Sequence, residues 1–261
     1  MKEFLAAVFD SNTAAVLTAG VIFLAVFFRY ILISGAYHYL FFNFLKEQFQ
    51  SRLINKVKLT GQQARLEIYR SLLTSIIFAI SGMALLYLMH RGFSEVYYQW
   101  SDYPLWYHPL SIFFALFIHE TYYYWLHRWM HRPKIYRYIH KWHHDSVETS
   151  SLTSFSFHPI ESVLQAAVIP FLIIFLPLHI YSLFFLLFIM TMSGTINHAS
   201  VEIFPKGFEK NWLGKWLIGA THHDMHHKQF RFNFGLYFTF WDKWMGTESP
   251  TYEDQFKKYT Q

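Results

Sequence analysis

The chain of 261 residues has no cysteine, so disulfides and thiolate metal sites are excluded and its compartment cannot be read from redox chemistry. It is also short of charge. Asp, Glu, Lys and Arg make up 15% of it, against roughly 25% in an ordinary soluble domain, which points to a bilayer as part of the solvent. Strand-type alternation is sustained nowhere and no internal repeat is evident. No cleavable signal peptide is expected, because Met1 to Asp10 carries Lys2 and Glu3 and lacks a small-residue cleavage site after a short apolar core. What is abundant is apolar surface: 53% of residues are hydrophobic and 21% aromatic. The mean hydropathy is nevertheless only +0.16, so a good share of the chain lies in water or at the interface. A net charge of +5 raises nucleic acid as a partner. The basic residues cluster beside apolar segments instead, which is the pattern of membrane topology, and no nucleic-acid partner is expected.

A helix crossing the hydrocarbon core needs about 20 mostly apolar residues. Candidates run from about Ala14 to Ile33, with a weaker apolar pattern to Phe44, from about Ser71 to Met89, and from about Leu105 to Leu126. Val163 to Leu176 and Ile180 to Met192 are each short and flank Pro177, which suggests a helical hairpin that either spans or dips in. The expected fold is therefore an all-α integral-membrane bundle of about four transmembrane helices, or three plus a hairpin, with a cytosolic histidine-rich helical cap. Three regions are expected: 1–103 with the first spans and a basic connection, 104–248 with the chemistry, and a tail at 249–261. The connection after the first span holds Lys46, Arg52, Lys56, Lys58, Arg65 and Arg70, and the region after the third holds Arg128, Arg132, Lys134, Arg137 and Lys141. An N-out arrangement puts every strongly basic stretch in the cytoplasm, together with all the histidine clusters.

Twelve of the sixteen histidines fall between His127 and His227. They come as His127 and His131; His140, His143 and His144; and His222, His223, His226 and His227, with His158, His179 and His198 alone. Positions i, i+3 and i+4 share a helix face, so each group can aim two or three rings at one point. Imidazole suits Fe, Zn, Cu and Ni. Eight or more rings exceed the four ligands of one tetrahedral zinc, so the count fits two metals better than one. Lone histidines such as His38, His90, His108 and His179 read as structural. Glu120 sits seven residues before His127, on the same helix face and inside an apolar segment, where a carboxylate is expensive and by default functional. It could fix the tautomer of a ligating ring, or pair with Arg128. Asp145 and Asp224 are similar supporting candidates, whereas Asp242 reads as structural.

These residues carry a resemblance. His127-Arg-Trp-Met-His131, His140-Lys-Trp-His143-His144 and His223-Asp-Met-His226-His227 resemble the three histidine boxes of the fatty acid hydroxylase/sterol desaturase superfamily. Phe157-His158-Pro159-Ile160-Glu161, Asn197-His198, Asn233-Phe-Gly235 and Phe240-Trp-Asp242-Lys-Trp-Met-Gly246-Thr247 resemble further elements of it, and the match covers about Leu116 to Thr247. The third box, with His222 ahead of it, is similar to the sterol C4-methyl oxidase and alkylglycerol monooxygenase branches.

The resemblance implies two iron ions, O2, a lipid substrate and a separate redox partner of cytochrome b5, ferredoxin or pterin type. It implies hydroxylation or desaturation of an unactivated C–H bond. By the same implication the metal ligands are His127, His131, His140, His143, His144, His198, His223, His226 and His227. Where some members carry a further histidine this chain has Glu202, so Glu202 or His222 completes the shell or the position is open. His158 is a ligand or a supporting group, which makes Glu120, His158 and His222 the remaining candidate catalytic residues. Phe184, Phe185 and Phe188 are candidates to line a lipid cleft, and Tyr122 to Tyr124, Trp125 and Trp129 read as an interfacial aromatic belt. A metal transporter would instead string ligands along a path through the bilayer, and a haem protein would need only two or four axial histidines.

Overall fold

The computed structural model describes residues 1–55 and 59–261. Lys56 and Lys58 of the basic connection lie outside the described residues. By length and composition three helices are able to cross a membrane. After a short α1 (Lys2–Phe9), α2 (Asn12–Tyr39) runs on through a π-helical turn at Leu40–Phe44 and ends near the small α3 (Lys46–Phe49). The second is α4 (Gly61–His90). The third, Ile180–His198, is numbered α10 below. Each opens on a side chain that accepts an otherwise orphaned backbone N–H. Ser11 Oγ accepts from Ala14 N, Thr60 Oγ1 from Gln63 N and His179 Nδ1 from Tyr181 N.

The expected span at about Leu105 to Leu126 is helical, as α5 (Tyr107–Met130), but it is not among the three. His108, His119, Glu120 and His127 dilute its apolar character, and all four are buried within the protein. The expected hairpin is present in a different proportion. Its first arm is two short helices, α8 (Pro159–Ala166) and α9 (Val168–Phe175), while its second, α10, continues past Met192 to His198 and is long enough to span. At the tip, β2 (Leu178–His179) pairs in parallel with β1 (Val96–Tyr97). Ala115, Ile169, Leu172, Ile173, Leu183 and Leu186 form the buried seam between α5, α9 and α10. The lone histidines are structural here: His108 Nδ1 is 3.0 Å from the Tyr97 hydroxyl, His179 Nε2 is 3.1 Å from the Tyr98 carbonyl, and His38 stacks on Phe42.

At the other end of the bundle, α4 holds the segment that carries the second histidine box. Glu67 is buried and accepts from Ser146, Ser150 and Thr153 hydroxyls and from Gln63 Nε2, all at 2.7–2.9 Å. One turn on, the Arg70 guanidinium donates to the Trp142 carbonyl and the Asp145 carboxylate. Hydrogen bonds to a charged group contribute about 1.5–3 kcal/mol each, and donors left buried without a partner cost more. Glu67→Leu is therefore expected to destabilise the protein by at least about 3 kcal/mol, read as a lower thermal midpoint in detergent. An unchanged midpoint would contradict this role.

Candidate metal centre

The three boxes arrive from different directions. α5 delivers His127, with His131 just past its last turn. Pro133 opens α6 (Pro133–Ile139) at the position where a missing N–H costs nothing. The chain then turns at His140 into the single-turn α7 (Lys141–His144). α10 ends on His198, and α11 (Ala220–Gln229) carries His223, His226 and His227.

Nine imidazoles converge as two groups. His127, His131, His140, His144 and His226 form one, and His143, His198, His223 and His227 the other. Within each group the candidate ligand nitrogens lie within 4.8 Å of one another. His127 Nε2 is 3.1 Å from His140 Nε2 and His144 Nε2 is 3.2 Å from His226 Nε2. His198 Nε2 lies 3.0 Å from both His143 Nε2 and His223 Nε2. Two nitrogens bound at right angles about 2.1 Å from one ion would be about 3 Å apart. His131 Nε2 and both nitrogens of His227 are buried with no hydrogen-bond partner. Such a donor set fits a metal ion in each group.

Four rings are aimed from behind. His127 Nδ1 meets the Phe234 carbonyl at 2.8 Å, His226 Nδ1 the Phe232 carbonyl at 2.7 Å and His198 Nδ1 the Gly194 carbonyl at 2.6 Å. His140 Nδ1 donates to the Glu161 carboxylate at 2.8 Å. An N–H committed to these acceptors leaves the Nε2 lone pair free for a metal. Burial, reinforced by the neighbouring rings, holds His140, His143, His144, His223, His226 and His227 well below the ordinary histidine range. They stand neutral near pH 7, the form that ligates.

Several candidates sit elsewhere. Glu120 reaches neither a ligating ring nor Arg128: its carboxylate accepts the backbone N–H groups of Leu236 and Tyr237 at 3.0 and 2.7 Å, because the chain after Gly235 folds back over α5. A Cβ at Gly235 would lie 2.9 Å from Glu120 Oε1 and 2.6 Å from the Phe238 carbonyl, so only glycine allows that approach. His158 caps α8, its Nδ1 accepting from Ile160 N, and its ring packs on Trp142. His222 is buried against Tyr252, outside both groups. Glu202 accepts from Thr221 N and Phe204 N, tying down the start of α11 instead of completing a shell. Asp224 pairs with Lys228 and Asn55, and Asp145 with Arg70 and Lys141. Asp242 accepts from Phe234 N and Gly235 N, a structural role.

Sequence reasoning gave no role to Glu161. Its place in the His-Pro-x-Glu element was visible, but its partner His140 lies across the fold. It also overlooked His119, whose Nδ1 is 2.7 Å from the Tyr237 hydroxyl.

A largely apolar cavity of about 990 Å³, its mouth included, lies among α2, α4, α5 and α10 and reaches His198. Leu187, Met190, Thr191 and Gly194 form the α10 side of its wall. Phe184, Phe185 and Phe188, expected there, point outward with 58%, 48% and 45% of their surface exposed. The aromatic belt is also partial: Trp125 and Trp129 are exposed, whereas Tyr123 lines the cavity and Tyr124 is fully buried.

With this geometry in view, comparison with known proteins is decisive for kinship. The family described as fatty acid hydroxylase matches residues 112–247, more than half of the chain. The chain belongs to the fatty acid hydroxylase family. It is 33% identical over 171 residues to rat lathosterol oxidase, covering 63% of this chain and 54% of that protein. It is 30% identical over 215 residues to the Delta(7)-sterol 5(6)-desaturase of Leptosphaeria maculans, 80% of this chain and 57% of the relative. Methylsterol monooxygenase 1 of Gallus gallus is 31% identical over 164 residues, 62% and 54% respectively. The chain spans little more than half the length of these curated relatives. No solved structure matches. All nine converging imidazoles but none of α2 or α4 fall within the family's match.

Two outcomes follow for a family member built this way. Glu161→Ala removes the acceptor behind His140 and is expected to weaken metal affinity by about 10–100-fold, measured by competition with a chelator, with Glu161→Gln retaining part of it. Undiminished affinity in Glu161→Ala would remove Glu161 from the metal site. Acidification should destabilise the metal-free protein. Below about pH 6.5 the unfolded chain's histidines take up protons that the buried rings do not, so unfolding becomes easier as pH falls. A thermal midpoint flat between neutral and mildly acid pH would contradict the buried neutral state.

Proposed function

We propose that this protein is a membrane-bound, O2-dependent oxidoreductase that hydroxylates or desaturates an unactivated C–H bond of a lipid, with a sterol as the favoured class. The observation that carries the reading is the cavity wall at His198. One of the two all-imidazole groups borders an apolar cavity walled in part by the helices that are apolar enough for a bilayer. The relatives, an oxidase, a desaturase and a monooxygenase of sterols by name, favour that substrate class.

His127, His131, His140, His144 and His226 would hold one iron, and His143, His198, His223 and His227 the other. Bound there, the irons would supply the activation of O2 with two electrons from a separate donor of cytochrome b5, ferredoxin or pterin type. The chain's own residues do the rest. The carbonyls of Phe232, Phe234 and Gly194 and the carboxylate of Glu161 keep the rings in one orientation. Leu187, Met190 and Ile169 hold the lipid against His198 and exclude water. His119 and Tyr237 set an exchangeable proton beside that wall. Hydroxylation consumes O2, two electrons and two protons and releases one water; desaturation removes two hydrogens from the lipid and releases two waters.

The metal end is proposed to be cytoplasmic. The C-termini of α2 and α10 and the N-terminus of α4 meet there, with Lys46, Arg52, Arg65, Lys141 and Lys228 around them. α5 and the α8–α9 arm are proposed to accompany the three spanning helices in the bilayer.

Expression in a host lacking related enzymes, followed by lipid mass spectrometry with and without iron chelation, tests the reading. A lipid gaining one oxygen supports hydroxylation, one losing two hydrogens supports desaturation, and an unaltered lipid profile overturns both. His143→Ala and His226→Ala should each lose iron and cut turnover by more than about 100-fold, beyond what outer-shell changes give. An active, iron-replete variant would sink the ligand set.

A further inference from the structure

The cavity wall carries one formally charged side chain among the described residues, Arg29 of α2. It lies outside the family's match, in a helix long and apolar enough to span the membrane. Its Nε is buried without a hydrogen-bond partner, and no ion pair to it is found among the described residues. A charged group at such a position is expensive and calls for a partner. Snorkelling to the headgroup region would release the guanidinium from the wall, yet here Arg29 lines the cavity. Its neighbours fix where that is. Tyr30 OH donates to the Leu152 carbonyl, and Ser34 Oγ lies 3.5 Å from Thr195 Oγ1, one turn before His198 on α10. Arg29 is five residues before Ser34 and Thr195 three before His198, so the Arg29 backbone stands about 12 Å of helix rise from the His198 level. Beyond it the wall continues through Val26 and Ile22 to Leu85, and is apolar.

We propose that Arg29 anchors the oxygen-bearing polar head of the lipid within the cavity that His198 borders. The inference rests on the reading of this cavity as the lipid site. A planar guanidinium with five donors suits a hydroxyl or a carboxylate equally, so the head chemistry is an oxygen acceptor, and a sterol hydroxyl and a fatty acid carboxylate are its two sources.

The test uses the full iron-loaded chain in phosphatidylcholine nanodiscs, with equilibrium binding followed by tryptophan fluorescence. The probes are lathosterol against its 3-methyl ether, and palmitic acid against methyl palmitate. Wild type is expected to bind one head-bearing probe at least about tenfold tighter than its blocked partner, a typical loss for an unpaired buried polar group, and the pair that shows it identifies the head. Arg29→Leu should abolish that preference while binding the blocked probe as wild type does, and Arg29→Lys should keep part of it. If Arg29→Leu loses iron, Arg29→Gln against Arg29→Lys carries the same comparison. A preference that survives in Arg29→Leu or Arg29→Gln, or a wild type indifferent to the head in both pairs, overturns the proposal. A wild type that binds the head-bearing probe through Arg29 and, supplied with O2 and an electron donor of cytochrome b5, ferredoxin or pterin type, never oxidises it would instead sink the oxidation reading and leave the anchor standing.

Discussion

An imidazole lone pair is aimed only as well as the opposite nitrogen is held, and that constraint organises this protein. Nine rings, eight of them buried and His131 half-buried, face one another in two groups, a packing that neutral rings tolerate and protonated ones would not. Behind His127 and His226 stand main-chain carbonyls of residues 234 and 232, behind His198 its own helix at Gly194, and behind His140 the carboxylate of Glu161. Gly194 and Phe232 lie close in sequence to the rings they hold, whereas Phe234 and Glu161 reach theirs from remote segments. The site thus makes demands on segments outside the histidine boxes as well as on the boxes themselves.

The segment from Phe232 to Ser249 supplies two of the four acceptors. Asn233 adopts a left-handed conformation at φ 62, its amide donating to the His222 carbonyl and its side-chain oxygen accepting from Ser249 N. Gly235 permits the approach to α5, Glu120 takes the N–H groups of Leu236 and Tyr237, and Asp242 takes those of Phe234 and Gly235. Two buried carboxylates therefore act on peptide groups, and through them on His127. Both are satisfied by several donors, as buried carboxylates must be. Glu120 thus reaches His127 only through one more link of chain than a direct bond to an imidazole would require.

Legibility in the sequence followed the range of each interaction. The histidine boxes were readable because ligand spacing on a helix is local, and the spanning lengths of α2 and α4 because hydropathy is additive along a segment. The ends of α10 were not, since the run from Ser193 to His198 is polar by composition and is helical because it packs against the 151–155 turn and α11. Nor was the division of the second box. His143 joins His198, His223 and His227, while its neighbours His140 and His144 join the other group, because adjacent residues on one helical turn point about 100° apart. The partners of Glu120, Glu161, Glu202 and His222 all depend on contacts between remote segments, which spacing alone cannot encode. Phe184, Phe185 and Phe188 failed as cavity residues for a simpler reason: on a spanning helix the bulkiest apolar side chains suit lipid, and the smaller Thr191 and Gly194 leave the space.

The same economy explains α5. A helix apolar on every face could sit in the bilayer and contribute nothing to the site, whereas α5 buries His119, Glu120, Tyr123, Tyr124 and His127 toward the protein and leaves Phe113, Phe114 and Trp125 outside. Its polar face is affordable because the groups on it find an acceptor, donor or neighbouring ring within the fold. Tyr123, whose ring meets that of His127 edge-on at 5.2 Å, also lines the cavity. The helix that looks least like a membrane span by composition is therefore the one that joins the cavity, through His119 and Tyr123, to the five-imidazole group, through His127. The four-imidazole group meets the same cavity through His198 of α10. A lipid seated there touches the framework of both groups, and any movement of α5 against α10 would change the spacing between them.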